Sequence, residues 1–208
     1  MSALQSCSRA GLFLFLALVL APSLKAQPVE GSAFWQTAVA TTLITTLATN
    51  PMGADAVLVE SGQGEEVMAH RAAWRWHWQD LHQGDWLQIK LYGQVALEYW
   101  EGKREAGTQD RNNLLVLTPV FRLQTPLAWL PYLETSIGAT FMSASRFPAT
   151  DHEFGQNYQF SDTLALGWQW GAQQQWELAL RYRHYSNNGM AEQNNGIDFN
   201  ILALSYHY

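Results

Sequence analysis

Leu87-Gln88-Ile89-Lys90-Leu91-Tyr92-Gly93-Gln94-Val95-Ala96-Leu97-Glu98-Tyr99 is the stretch that decides the fold. Side chains of a β-strand alternate between its faces. Leu87, Ile89, Leu91, Gly93, Val95, Leu97 and Tyr99 therefore line one face, and Gln88, Lys90, Tyr92, Gln94, Ala96 and Glu98 line the other. An apolar or small residue at every second position suits a strand crossing a hydrocarbon layer, which takes roughly 9–11 residues. The opposite face is polar enough to fill the interior of a small barrel.

The same period returns in seven more segments: Val57 to Ser61, Glu66 to Trp78, Asn112 to Gln124, Pro131 to Ser143, Tyr158 to Trp170, Gln174 to Ser186 and Ile197 to Tyr208. The fold expected is all-β, an eight-stranded antiparallel transmembrane β-barrel spanning residues 57–208. Closure removes the unpaired strand edges that lipid cannot solvate. In the last segment Leu202, Leu204, Tyr206 and Tyr208 alternate and end on an aromatic residue, which resembles the C-terminal signal of bacterial outer-membrane barrels. A soluble sandwich or lipocalin-like barrel also alternates, but it needs neither apolar rows on nearly every strand nor that terminus. From Val57 onward no run of 18 apolar residues indicates a transmembrane helix.

Composition agrees. Ten Trp, eight Tyr and nine Phe with 14% charged residues in a 208-residue chain fit rings placed at a membrane interface. Eighteen acidic against twelve basic residues give no support for nucleic-acid binding. At the N-terminus Arg9 precedes the apolar run Leu12 to Ala21, too short to span a bilayer as a helix. Residues 1–26 thus read as a signal peptide, with cleavage after Ala26. A second apolar stretch, Ala38 to Ala48, leads to Ala54-Asp55-Ala56 and allows cleavage as late as residue 56. The sole cysteine, Cys7, precedes the first apolar run, so the mature chain carries neither disulfide framework nor thiol nucleophile.

Loop lengths set the orientation, because bacterial barrels have short periplasmic turns and longer outside loops. Thr125 to Leu130 and Gly171 to Gln173 are short, whereas Glu101 to Arg111 and Ala144 to Asn157 are long and polar. Gln79 to Asp85 is intermediate, and Gly62 to Glu65 is short for an outside loop. With both termini periplasmic, the hairpin Asn187 to Gly196 faces outward. Its ends, Asn187-Asn188-Gly189 and Asn194-Asn195-Gly196, carry Asn-Gly, a strong turn signal.

His184 and Ser186 lie on the same face as Trp176, Leu178, Leu180 and Tyr182, which would place them against lipid at the outer end of their strand. Polar groups there are costly and point to function. Asp198 shares its face with Leu202, Leu204 and Tyr206. A hairpin closing in register would bring it opposite or diagonal to His184 and Ser186. A serine hydroxyl needs a base to remove its proton, and the base works better when a carboxylate fixes its tautomer. Ser186, His184 and Asp198 supply those roles, and Asn187 or a backbone N–H of the turn can donate to the oxyanion. Glu192 is a rival carboxylate, placed mid-loop.

The chain here resembles the outer-membrane lipid A 3-O-deacylase family (PagL). The likeness is strongest over Arg183-His184-Tyr185-Ser186-Asn187-Asn188-Gly189 and Asn195-Gly196-Ile197-Asp198. It is weaker over Tyr99-Trp100-Glu101-Gly102, Thr118-Pro119-Val120-Phe121, Leu133-Glu134 and Ile137-Gly138. The resemblance implies a serine esterase of the bacterial outer membrane that hydrolyses the ester-linked 3-acyl chain of lipid A in lipopolysaccharide. It implies His184 as base, Ser186 as nucleophile, and Asn187 with Gly189 in the oxyanion hole. Asp198 stands where the family pattern has the longer glutamate.

The rival class is a non-catalytic small barrel with a structural or adhesion role, which has no reason to set Ser186, His184 and Asp198 against lipid. A lipid A acyltransferase would need an acyl pocket inside the barrel, which the polar row Gln88 to Glu98 does not suggest. Trp74-Arg75-Trp76-His77-Trp78 reads as an aromatic girdle. His70, His77 and His82 lack a companion ligand set, so neither metal nor other cofactor is assigned. His152-Glu153 reads as solvated loop. Lys90, Glu98, Arg122, Glu134, Arg181 and Arg183 read as interior charge networks, with Arg183 and Glu101 as alternative contacts for lipid A phosphates. The sequence permits a homodimer without specifying one.

Overall fold

A computed structural model of the chain describes residues 45, 49–102, 111–127, 129–147 and 152–208. The signal-peptide features at Cys7, Arg9, Leu12 to Ala21 and Gln27 lie outside the described residues, as does nearly all of Ala38 to Ala48. Two compact units divide the chain, Met1–Ala54 and Asp55–Tyr208. In the first, Asn50 closes a turn by accepting from Ala54 N and donating to Ala54 O.

The second unit is a closed barrel. Its strands are β1 (Ala56–Gly64), β2 (Val67–Gln83), β3 (Gln88–Gly102), β4 (Arg111–Gln124), β5 (Tyr132–Met142), β8 (Tyr158–Trp170), β9 (Trp176–Ser186) and β10 (Ile197–His207). Two short strands, β6 (Arg146–Phe147) and β7 (His152–Glu153), pair with each other in the β5 to β8 connection. Eight strands close in the order β1-β10-β9-β8-β5-β4-β3-β2, each antiparallel to its neighbours. No helix among the described residues is long and apolar enough to cross a membrane. The strands do the crossing instead.

The expected strand bounds hold within a few residues except at two places. β1 runs to Gly64 rather than Ser61, leaving a two-residue outer turn, Glu65 and Glu66. Gly62 and Gly64 give no apolar signal, and each lies hard against β10: a Cβ at Gly64 would stand 2.6 Å from Asp198 O. β2 runs past Trp78 to Gln83 before a turn to β3, closed by Gly84 N donating to Leu87 O at 2.9 Å. Register shifts at His77/Gln79 and Asp80/His82 break the alternation that would have revealed the extension.

The lumen is charged and paired. Glu134 accepts from Arg75 and Arg122 at 2.6 Å each and lies 3.0 Å from Arg181, while Arg122 also meets Glu177 at 2.8 Å. Arg183 donates to Glu60 at 2.7 Å. Closure leaves no water-facing side for these groups, so mutual pairing replaces hydration. Of the expected network Glu98, Arg122, Glu134, Arg181 and Arg183 are buried as proposed, while Lys90 is only half-buried. Glu60, Arg71, Arg75 and Glu177 are members the sequence reading did not name.

Apolar side chains point outward. Leu133, Ile137, Leu164, Leu180, Leu202 and Leu204 are exposed on β5, β8, β9 and β10, as lipid-facing residues must be. At the outer end of this wall Phe141, Tyr158 and Phe160 form a chain of ring contacts at 5.5 and 5.3 Å. At the other end Trp176, Tyr206 and Tyr208 do the same at 4.9 and 5.4 Å. Two aromatic belts bracket the apolar rows, as a bilayer's two interfaces demand.

Candidate active site on the outer wall

β9 and β10 are in register from Tyr185↔Ile197 to Trp176↔Tyr206, which sets His184 directly opposite Asp198. The short carboxylate reaches: His184 Nδ1 and Asp198 Oδ1 are 2.7 Å apart. With Nδ1 donating to the carboxylate, the neutral ring keeps Nε2 as an acceptor. Both side chains stay open to the outside, 38% and 54% exposed. Ser186, two residues on, shares that face and is half-exposed. Across β8 its partner is Phe160, a member of the outer aromatic belt, so the site sits one strand step from the interface. Among the described residues no hydrogen bond yet joins Ser186 Oγ to the imidazole. Free sites often hold such contacts loosely until substrate arrives.

Three further groups complete the surroundings. Tyr182, one strand step below on the same outward face as His184, interacts through its hydroxyl with the Asp198 carboxylate. Asp162 on β8 is the register partner of His184 on its other side and is exposed on the same outward face. Gly196 lies beneath the ring, where an added Cβ would be 2.6 Å from His184 Cε1. None was legible beforehand, because each depends on cross-strand register or on a missing side chain. Glu192, the rival carboxylate, lies exposed in the loop.

The turn beside the site is tightly held. Met190 N donates to Asn187 O at 3.1 Å across Asn188 and Gly189, whose φ values of 54° and 77° suit a type I′ turn. Asn187 is fully buried. Its Nδ2 donates to Phe154 O at 2.9 Å and Gln193 O at 2.7 Å, and its Oδ1 accepts from Gly189 N at 2.8 Å. Asn187 N donates to Asn194 Oδ1 at 2.7 Å. Asn187 and Gly189 are thus brought next to Ser186 with these polar groups already paired. The β7 segment secures the same loop: Asn195 N donates to Glu153 O at 3.1 Å, and His152 Nδ1 lies 3.2 Å from Asn195 O. His152-Glu153, expected as solvated loop, is half-buried and serves as a strap.

Directly behind the site the inward residues make an aromatic plug. Trp100 meets Tyr185 at 5.0 Å and Phe199 at 5.1 Å between ring centroids, and Phe147 and Phe154 close over it. Tyr185 Oη and Trp100 Nε1 each donate to Glu98 at 2.6 Å. Arg183 is held inside by Glu60, so its alternative role toward lipid phosphates is overturned by burial. A second serine–histidine contact, Ser61 Oγ to His70 Nδ1 at 3.2 Å, lies on the outward faces of β1 and β2. Its Nδ1 is spent on the hydroxyl, and among the described residues no carboxylate is bonded to it.

An eight-stranded barrel with an apolar outer wall that carries a serine beside a carboxylate-held histidine fits one class, a small membrane-embedded hydrolase. Comparison with known proteins narrows it. The family model described as lipid A 3-O-deacylase (PagL) matches residues 68–207, and the chain belongs to that family. It is 32% identical over 133 residues to the lipid A deacylase PagL of Bordetella bronchiseptica, covering 63% of this chain and 68% of that one. It is 26% identical over 151 residues to the lipid A deacylase PagL of Pseudomonas aeruginosa, covering 70% and 81%. The crystal structure of the outer membrane enzyme PagL superimposes with a TM-score of 0.64 at 24% identity, over 74% of this chain and 99% of that one. The protein is an ester hydrolase of the lipid A deacylase family with an outer-membrane barrel fold.

Proposed function

We propose that Ser186, His184 and Asp198 carry out the deacylation. Ser186 Oγ attacks the carbonyl carbon of the 3-linked acyl ester while His184 Nε2 takes its proton. The tetrahedral intermediate collapses with loss of the sugar oxygen, which leaves protonated by the imidazolium. Water, deprotonated by His184, then attacks the acyl-serine and releases the fatty acid. Asp198 keeps Nδ1 protonated and stabilises the imidazolium. Asn187 serves the oxyanion through the turn it fixes, and Gly189 N exchanges its Asn187 acceptor for the developing charge.

The observation that carries this reading is the 2.7 Å His184–Asp198 contact on an outward face. A structural barrel gains nothing from an ionisable pair exposed there. An apolar groove of about 550 Å³ supports it, lined by Leu133, Leu164, Leu166, Leu180, Tyr182 and Leu202 and beginning one strand step from the pair. In our reading the released acyl chain lies in it. The barrel interior, by contrast, is filled among the described residues with ion pairs and buried aromatic rings.

In the same reading the chain is exported on its N-terminal segment, the mature barrel starts between Gln27 and Val57, and the substrate comes from the outer leaflet. Two copies can pair through apolar walls away from the site. The test is mass spectrometry of lipid A from cells expressing the parent chain or Ser186→Ala. The parent should remove a single 3-linked acyl chain and the variant should leave it. Equal removal by both would end the serine-esterase reading.

A further inference from the structure

Gly196 invites the reading that its glycine is there for the turn, since Asn195-Gly196 is a strong positive-φ pair. The backbone says otherwise: the positive-φ glycines include Gly189 in this hairpin but not Gly196. What Gly196 lacks is room. A Cβ built on it would lie 2.6 Å from His184 Cε1, 3.1 Å from His184 Nε2 and 3.0 Å from Tyr185 O. The backbone oxygen cannot yield, so the imidazole would have to.

We infer that Gly196 is a positioning residue for the base, and that the shortness of Asp198 makes it so. Gly196 precedes Ile197, the register partner of Tyr185, and so lies beside Ser186. Asp198 stands directly opposite His184 and holds Nδ1 at 2.7 Å. A carboxylate on one methylene can do this only by drawing the ring toward β10. The Cε1–Nε2 edge of the ring then lies close against Gly196, which neighbours Ser186 across the hairpin. Any side chain at 196 lifts that edge, and the choice is then between the Asp198 contact and the approach to Ser186. A longer carboxylate at 198 would let the ring stand off β10 and would relax the demand.

This rests on the serine-esterase reading, and the test separates the two. Gly196→Ala should lower kcat by about a hundredfold with KM within about twofold, because ring placement matters in the transition state and not in substrate binding. The barrel should keep its heat-dependent gel mobility. In an Asp198→Glu background, compared with Asp198→Glu alone, the same substitution should cost less than about tenfold. A Gly196→Ala enzyme within twofold of the parent kcat would overturn the inference. So would equal losses in both backgrounds, which would mean that the methyl group does not act through the imidazole. If Ser186→Ala is as active as the parent, the esterase reading fails. If Ser186→Ala is inactive while Gly196→Ala is not, only the role of Gly196 falls.

Discussion

Strand β9 shows two kinds of polar residue on its two faces. Inward, Arg181, Arg183 and Tyr185 are almost fully buried, and each is close to an acidic partner: Glu134, Glu60 and Glu98. Outward, Tyr182, His184 and Ser186 are half-exposed or exposed, and His184 is bonded to Asp198 across the hairpin. The inward groups are fixed by the cost of leaving a buried charge unpaired. The outward ones contribute little to stability and stand where lipid can reach them. One strand thus separates holding the barrel together from acting on its surroundings, with a period of two as the only divider.

That separation is open to attack from both sides. The largest expected effect is inward: Glu134→Ala strands Arg75, Arg122 and Arg181 without their shared carboxylate and should destabilise the barrel by about 3–5 kcal/mol. A fall in the temperature at which gel mobility shifts would register it. Outward, Asp198→Ala should cost at least about a hundredfold in kcat, though less than loss of His184 or Ser186, with that transition temperature unchanged. Tyr182→Phe removes only the hydroxyl that interacts with Asp198 on the outward face. Steady-state deacylation should then drop by no more than a few-fold, again with no change in stability. An outward substitution that melted the barrel, or an inward one that changed only the rate, would break the distinction.

Much of this was readable in advance because the barrel's signal is local. β8 has the bounds its alternation gave, Tyr158–Trp170. The pairing of His184 with Asp198 followed from one hairpin and one turn. What stayed hidden was non-local or lacked a side chain. Gly62 and Gly64 concealed the end of β1, and irregular register concealed the extension of β2 to Gln83. Asp162 neighbours His184 only through the β8–β9 register, and Gly196 matters for an atom it does not have. The strap of His152 and Glu153 onto Asn195 joins two separate outer loops, so no period could show it. Parity rightly put Arg183 in the interior charge network, but a phosphate contact stayed open as an alternative because parity gives a face and not a partner. Glu60, which holds it, lies 123 residues away.

The central claim is that a folded barrel hydrolyses lipid from its outer wall through Ser186. The most direct measurement takes refolded parent and Ser186→Ala in detergent micelles with purified lipopolysaccharide, and follows fatty-acid release beside the heat-dependent mobility of the same samples. Mobility and transition temperature should be identical, with release from the parent and at least about a thousandfold less from the variant. Undiminished release by a fully folded Ser186→Ala barrel would contradict it.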